Sequence, residues 1–167
     1  IPLANCIGDI LSEQNYQLHY VGGSDLDFAG KGNFYKSHGF DHVEGWYELE
    51  NIINDKNYRS PWGIYDDELL NIIYNKAEIL NNKNINFGLF SLTLDTHHPN
   101  GYISKSCKNN KYQDGLNPIL NSVHCVDELI GRFMDKYLNS KIYDNTILVL
   151  LSDHLALKNT ATNMLEK

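Results

Sequence analysis

The run Ile85-Asn86-Phe87-Gly88-Leu89-Phe90-Ser91-Leu92-Thr93-Leu94-Asp95-Thr96-His97-His98-Pro99 decides the fold. Residues 85–94 mix aromatic, β-branched and other apolar side chains and carry no charge. That pattern predicts a strand covered on both faces rather than one with a wet side. The change at Asp95-Thr96-His97-His98 ends the strand and puts polar, chemistry-capable groups at its carboxyl end.

Working outward, Asp66 and Asp67 lead into Glu68-Leu69-Leu70-Asn71-Ile72-Ile73-Tyr74, with Ala77, Ile79 and Leu80 continuing the stripe. This predicts a helix whose acidic start suits its positive N-terminal end and which stops at Asn81-Asn82. Downstream, Asn117-Pro118 is a capping residue followed by Pro at the first helical position. Apolar residues at Ile119, Leu120, Val123, Val126, Leu129, Ile130, Phe133, Met134, Tyr137 and Leu138 then form one stripe at 3.6-residue spacing. Thr146-Ile147-Leu148-Val149-Leu150-Leu151 follows as a second buried strand, ending at Ser152-Asp153-His154. Strand, helix and strand make a βαβ unit, with parallel strands and a right-handed crossover. Ligands bind at the carboxyl edge of such sheets, so Asp95 to His98 and Asp153-His154 are expected to share one edge.

Nearer the start, Ile7, Ile10 and Leu11 suit a helix over 4–14, and Leu18-His19-Tyr20-Val21 before Gly22-Gly23 suits a strand. Residues 24–61 read as irregular, rich in Gly, Asp and aromatic residues, and too long for an idle connection. The expected class is α/β, a mostly parallel sheet flanked by helices, without internal repeat or second domain.

At 167 residues the chain can bury roughly 70% of its unfolded surface in one core. A net charge of −7 without a Lys/Arg cluster argues against nucleic acid as a partner, because phosphate neutralisation needs a concentrated basic patch. The longest apolar runs are about half of the roughly 20 residues that span a bilayer. The chain opens on Ile1-Pro2 with no Met and no signal segment, and is expected to be a piece of something longer. Cys6, Cys107 and Cys125 have no CxxC spacing, allow at most one internal bridge, and leave the redox compartment open. On its apolar stripe, Cys125 reads first as a plain core residue.

Asp153-His154 offers a carboxylate oxygen and an imidazole nitrogen, a pair that suits Zn²⁺ or Mn²⁺ better than Ca²⁺. Taken alone, the dipeptide reads first as a polar strand terminus facing water, and His97-His98 as surface residues. Convergence on one edge brings the metal and ligand reading level with that.

The motif Ser152-Asp153-His154-Leu155-Ala156-Leu157-Lys158-Asn159-Thr160-Ala161 resembles the final metal-binding motif of the bacterial phosphoglycerol transferases that modify periplasmic glucans. The stretch Thr93 to Ser104 also resembles that family, as do Phe28-Ala29-Gly30-Lys31, Lys36-Ser37-His38-Gly39-Phe40-Asp41-His42 and Pro61-Trp62-Gly63-Ile64-Tyr65-Asp66-Asp67. The match covers nearly the whole chain in order, and is similar more distantly to the lipoteichoic acid synthases of Gram-positive bacteria. The resemblance implies an alkaline-phosphatase-like fold, here incomplete, with residues 1–167 a partial catalytic domain lacking its N-terminal part and C-terminal end. It implies a divalent metal, Mn²⁺ first with Zn²⁺ or Mg²⁺ as alternatives, held in part by Asp153 and His154. It implies that His97, with His98 beside it, and Lys31 bind the phosphoglycerol group. Lys31, two residues after Ala29, stands where the lipoteichoic acid enzymes carry an Arg two residues after a Trp. Asp95 is expected to orient His97 or cap the loop.

The same resemblance assigns catalysis to a Thr nucleophile upstream of Ile1, and no Thr precedes Thr93; the chain itself holds no catalytic nucleophile and alone is expected to be inactive. The implied donor is phosphatidylglycerol and the acceptor a glycan. The parent would be membrane-anchored at the periplasmic face of the bacterial inner membrane. The alternatives are a sulfatase or phosphoethanolamine transferase of the same fold, or a binding domain that lost its nucleophile.

Overall fold

The computed structural model describes residues 4–166. Helix α1 (Ile7–Glu13) leads into strand β1 (Gln17–Gly22), and helix α2 (Lys31–Ser37) into strand β2 (His42–Glu44). A one-turn helix α3 (Trp46–Leu49) precedes a small antiparallel hairpin of β3 (Arg59–Ser60) and β4 (Gly63–Ile64). Helix α4 (Asp66–Asn82), strand β5 (Phe87–Leu92), helix α5 (Pro118–Leu138) and the short α6 (Thr162–Leu165) follow.

Strand β1 is central, parallel to β2 on one side and to β5 on the other, with Gln17 opposite Phe87 and Gly22 opposite Leu92. Side chains alternate across the sheet. Leu18 and Tyr20 pack with Phe40, Leu11, Tyr35 and Phe90 on the face covered by α1 and α2. Val21 packs with Leu89, Trp46, Leu49, Ile64 and Leu69 on the face covered by α3 and α4. Each fully buried Leu or Val contributes about 1.5–3 kcal/mol relative to exposure, so these two clusters hold the expected α/β layers together.

The start of α4 and the loop after β5 cap each other. The Asp66 carboxylate accepts the Leu94 and Asp95 N–H groups at 2.7 and 3.0 Å. The Asp95 carboxylate accepts the Asp66 N–H at 3.2 Å and the Ser104 hydroxyl at 2.6 Å. At the start of α5, Asn117 accepts the Leu120 N–H at 3.3 Å, with Pro118 at the first helical position.

Three expectations are corrected. Residues 24–61 contain α2, β2, α3 and β3, elements too short to show a period in the sequence. Cys125 is fully buried but is no plain core residue, being disulfide-bonded to Cys107 with a Cα separation of 5.6 Å. Its partner ends a single turn of 3-10 helix, Lys105–Cys107, too short to show a period. The third correction is the largest: residues 146–151 join no sheet. Ile147 is 89% exposed and Leu151 80%. Tyr137 donates a hydrogen bond to the Thr146 carbonyl, and Leu148 rests on the cluster of Tyr74, Tyr137 and Ile142. Beyond that anchor, nothing among the described residues covers the segment's two faces, and an apolar run becomes a strand only where partners bury it. Likewise β5, at the edge of the described sheet, is only partly buried, with Ser91 and Leu92 exposed. The anticipated βαβ unit is therefore not formed.

Candidate functional site

At the carboxyl ends of β1 and β5 a continuous file of side chains crosses the sheet edge. Lys31, the first residue of α2, donates to the hydroxyl of Ser24, just past β1. Its ammonium lies 5.4 Å from the Phe28 ring centre. Phe28 meets Trp62 edge-on at 5.5 Å. Trp62 stacks on His97 at 3.9 Å, and His97 on His98 at 4.7 Å.

Each member is placed by a local device. Trp62 sits at the tip of the β3–β4 hairpin, which is tied to the sheet by the Ile64 N–H bonded to the Gly23 carbonyl at 2.9 Å. Gly63 there has φ +139°, and a Cβ would collide with the Gly23 carbonyl oxygen; only glycine combines that conformation with that approach. His97 follows β5, its loop closed by the His97 and Gly101 N–H bonds to the carbonyls of Leu94 and His97, at 3.0 and 2.9 Å. The Ser122 hydroxyl of α5 holds the Asp95 carbonyl.

His97 Nδ1 donates to the His98 carbonyl at 2.8 Å, which fixes the ring's orientation and leaves Nε2 without a hydrogen-bond partner among the described residues. Burial holds the Lys31 ammonium below the ordinary lysine range, opposed by Asp25. Lys31 and His97 thus belong to one cluster, bridged by Phe28 and Trp62, while His98 extends it outward. Asp95 does not touch the His97 ring; it caps the loop and the helix, one of its two expected roles.

Asp153 and His154 stand apart from that cluster. Both are exposed, and among the described residues their side chains bond each other and neighbouring backbone alone, with Asp153 Oδ2 and His154 Nε2 3.4 Å apart. The chain then returns: the Thr160 N–H donates to the Pro99 carbonyl at 3.1 Å, and the Asn117 amide to the Thr160 carbonyl at 3.1 Å. The segment after Asp153-His154 is therefore pinned beside the loop that carries His97 and His98.

A family model described as Sulfatase matches residues 4–165. The chain belongs to the sulfatase family. It is 46% identical to proteins named Phosphoglycerol transferase I from Citrobacter koseri and Escherichia coli, over 99% of its own length. It is 44% identical to that of Salmonella arizonae over the same share. The chain spans 22% of the length of each of these relatives. Among solved structures, it is similar to a protein of the alkaline phosphatase superfamily from Vibrio parahaemolyticus, at TM-score 0.64 and 28% identity, covering 84% of this chain and 33% of that one. It also shares the fold of the lipoteichoic acid synthase LtaP from Listeria monocytogenes, at TM-score 0.66 and 18% identity, covering 87% of this chain and 38% of that one. The sulfatase-family fold accounts for the parallel sheet with helices on both faces.

Within this sulfatase-family chain, Trp62, which the sequence marks only as part of the motif Pro61 to Asp67, lies flat on His97. Phe28 and Ser24 were missed, because their roles come from where the turn after β1 delivers them. The Asp66–Asp95 pair was also missed as a titrating unit. Burial, opposed by the two backbone N–H groups it accepts, pushes Asp66 up to about 6. Burial and then the facing Asp66 push Asp95 up to about 7. Asp66 has the better donors, so it holds the charge and Asp95 the proton.

Proposed function

We propose that this chain is the part of a phosphoglycerol transferase that grips the transferred group and supplies half of the metal site. The parent enzyme, on this reading, moves phosphoglycerol from phosphatidylglycerol to a glycan acceptor such as a periplasmic glucan. The observation that carries the proposal is the convergence of a half-buried cation, Lys31, and an imidazole nitrogen, His97 Nε2, on the edge built by Ser24, Phe28 and Trp62. The relatives named Phosphoglycerol transferase I support the choice of group.

The donor set fits a divalent ion. A carboxylate oxygen and an imidazole nitrogen 3.4 Å apart are close enough for one ion to take both. Asp153 and His154 would hold that ion, with Mn²⁺ preferred and Zn²⁺ or Mg²⁺ as alternatives, and it would supply positive charge to the phosphoryl oxygens and to the attacking hydroxyl. The chain's own side chains do the rest. Lys31 donates to a phosphoryl oxygen, strengthened by its half-buried setting. With Nδ1 donating to the His98 carbonyl, Nε2 is the ring nitrogen left to meet the glycerol end of the group. Trp62 fixes the imidazole plane and, with Phe28, walls the group from water. The nucleophile, a Thr, is supplied by the parent outside residues 1–167, and residues 1–167 are part of its catalytic domain.

The Cys107–Cys125 disulfide supports an oxidising compartment such as the periplasm. No helix among the described residues is long and apolar enough to cross a membrane; anchoring would come from the rest of the parent. The test is to offer the full-length protein phosphatidylglycerol labelled in its headgroup glycerol, with a glucan acceptor. Label on the glucan with release of diacylglycerol is expected. Sulfate release from an aryl sulfate, or transfer from phosphatidylethanolamine in its place, would assign the parent to the sister reactions. No turnover of any of them would make it a binding protein.

A further inference from the structure

A second cluster lies where α1 begins and α2 ends, and the phosphoglycerol reading makes no use of it. Cys6, Asp9 and His38 bring a thiol, a carboxylate and an imidazole within 4.8 Å of one another. Asp9 Oδ2 accepts the Cys6 N–H at 2.8 Å and faces His38 Nδ1 at 2.8 Å. The opposite ring nitrogen, Nε2, faces Cys6 Sγ at 3.9 Å. His38 is buried, tilted against Phe34 at 4.7 Å, while Cys6 is half-buried. Gly8 makes the approach possible: a Cβ there would collide with the His38 carbonyl oxygen.

This is the order of roles that activates a nucleophile: a sulfur, a base in reach of its proton, and a third group that orients the base. Asp9 accepts from Nδ1–H, which turns Nε2 toward the thiol, whose sulfur also lies 3.8 Å from the Ala4 carbonyl. The hydrogen bonds from Cys6 N–H and His38 keep the Asp9 carboxylate ionised. Among the described residues, Cys107 and Cys125 are bonded to each other and Cys6 is a free thiol. A closed zinc site needs about four ligands, and the cluster offers three donors.

We propose that Cys6 is a primed thiol that exchanges with small disulfides, with His38 as its base and Asp9 as the positioning residue. As Sγ attacks one sulfur of the incoming disulfide, the thiol proton passes to His38 Nε2. The incoming S–S bond breaks, a protein–ligand S–S bond forms, and the departing thiolate takes the proton from His38. One thiol and one disulfide become one disulfide and one thiol, so no further oxidant is required.

The test uses the full-length protein and oxidised glutathione as the probe, with peptide mass spectrometry reading the adduct on the peptide that contains Cys6. The expected result is adduct formation at least about 10²-fold faster in the folded protein than in the urea-unfolded one, given what a positioned base contributes. His38→Asn should remove most of that advantage. Asp9→Asn, which keeps shape and tests the orienting role without disturbing the buried ring, should remove about tenfold. Equal rates in folded and unfolded protein, or a folded Asp9→Asn variant as fast as wild type, would overturn the proposal. Stoichiometric protection of Cys6 by one equivalent of Zn²⁺ would also overturn it and make the cluster a metal site.

Discussion

Replacing Asp95 by Asn removes one titrating group from the buried pair while keeping an acceptor oxygen for the Asp66 N–H and the Ser104 hydroxyl. Asp95 is fully buried, and its pKa is pushed from 3.8 up to about 7, first by burial and then by Asp66. A raised carboxyl pKa means that the native state binds the proton more tightly than the unfolded chain. Its stabilisation is therefore complete below pH 3.8 and is lost as pH rises through about 7. Between pH 5 and pH 8 the linkage integral for such a group is on the order of 3 kcal/mol. Urea denaturation of the chain across that range should show the wild type losing about that much more stability than the Asp95→Asn variant. Asp66→Asn should instead weaken the fold at every pH, because an amide NH₂ would face the Leu94 or Asp95 N–H. Parallel stability curves for wild type and Asp95→Asn would refute the shared-proton reasoning, the difference between the two being read because His19, held down to about 4 mainly by burial, adds stability over the same range in both.

Reducing the Cys107–Cys125 bridge, which closes a separation of 18 residues, should lower stability by about 3 kcal/mol; an unchanged urea midpoint under reductant would contradict its structural role. Trp62→Ala in the full-length protein should raise KM for phosphatidylglycerol roughly three- to tenfold, the value of a lost aromatic stack, with kcat measured alongside to separate binding from chemistry. The isolated chain should release no diacylglycerol from phosphatidylglycerol, since its nucleophile is assigned elsewhere; metal-dependent release by the purified chain would place the nucleophile within residues 1–167.

The elements that sequence made legible were those whose signal is local and repeated. The stripe from Ile119 to Leu138 and its Asn117-Pro118 start gave α5, and the uncharged run through Phe87–Leu92 gave β5. Residues 146–151 carried an equally apolar signal and formed no strand, because pairing depends on neighbours that a single segment does not encode. The short elements between β1 and α4 were hidden for the opposite reason: each is fixed by tertiary contacts, such as Trp46 and Leu49 packing on Val21. At the site, motif resemblance singled out Lys31 and His97, but not the Phe28 and Trp62 rings that join them. Stacking geometry has no one-dimensional trace. The Cys107–Cys125 pairing and the reciprocal Asp66–Asp95 caps likewise follow from which loop meets which helix.

The central claim is that this chain's cluster at the ends of β1 and β5 grips the phosphoglycerol group. The direct measurement is diacylglycerol release from phosphatidylglycerol by the full-length protein and its His97→Ala variant at saturating Mn²⁺, with near-ultraviolet circular dichroism confirming the fold. The account predicts a loss of at least about 10²-fold in kcat/KM, the scale of removing a group aimed at the reacting substrate. A folded His97→Ala variant that releases diacylglycerol as fast as the wild type would contradict it.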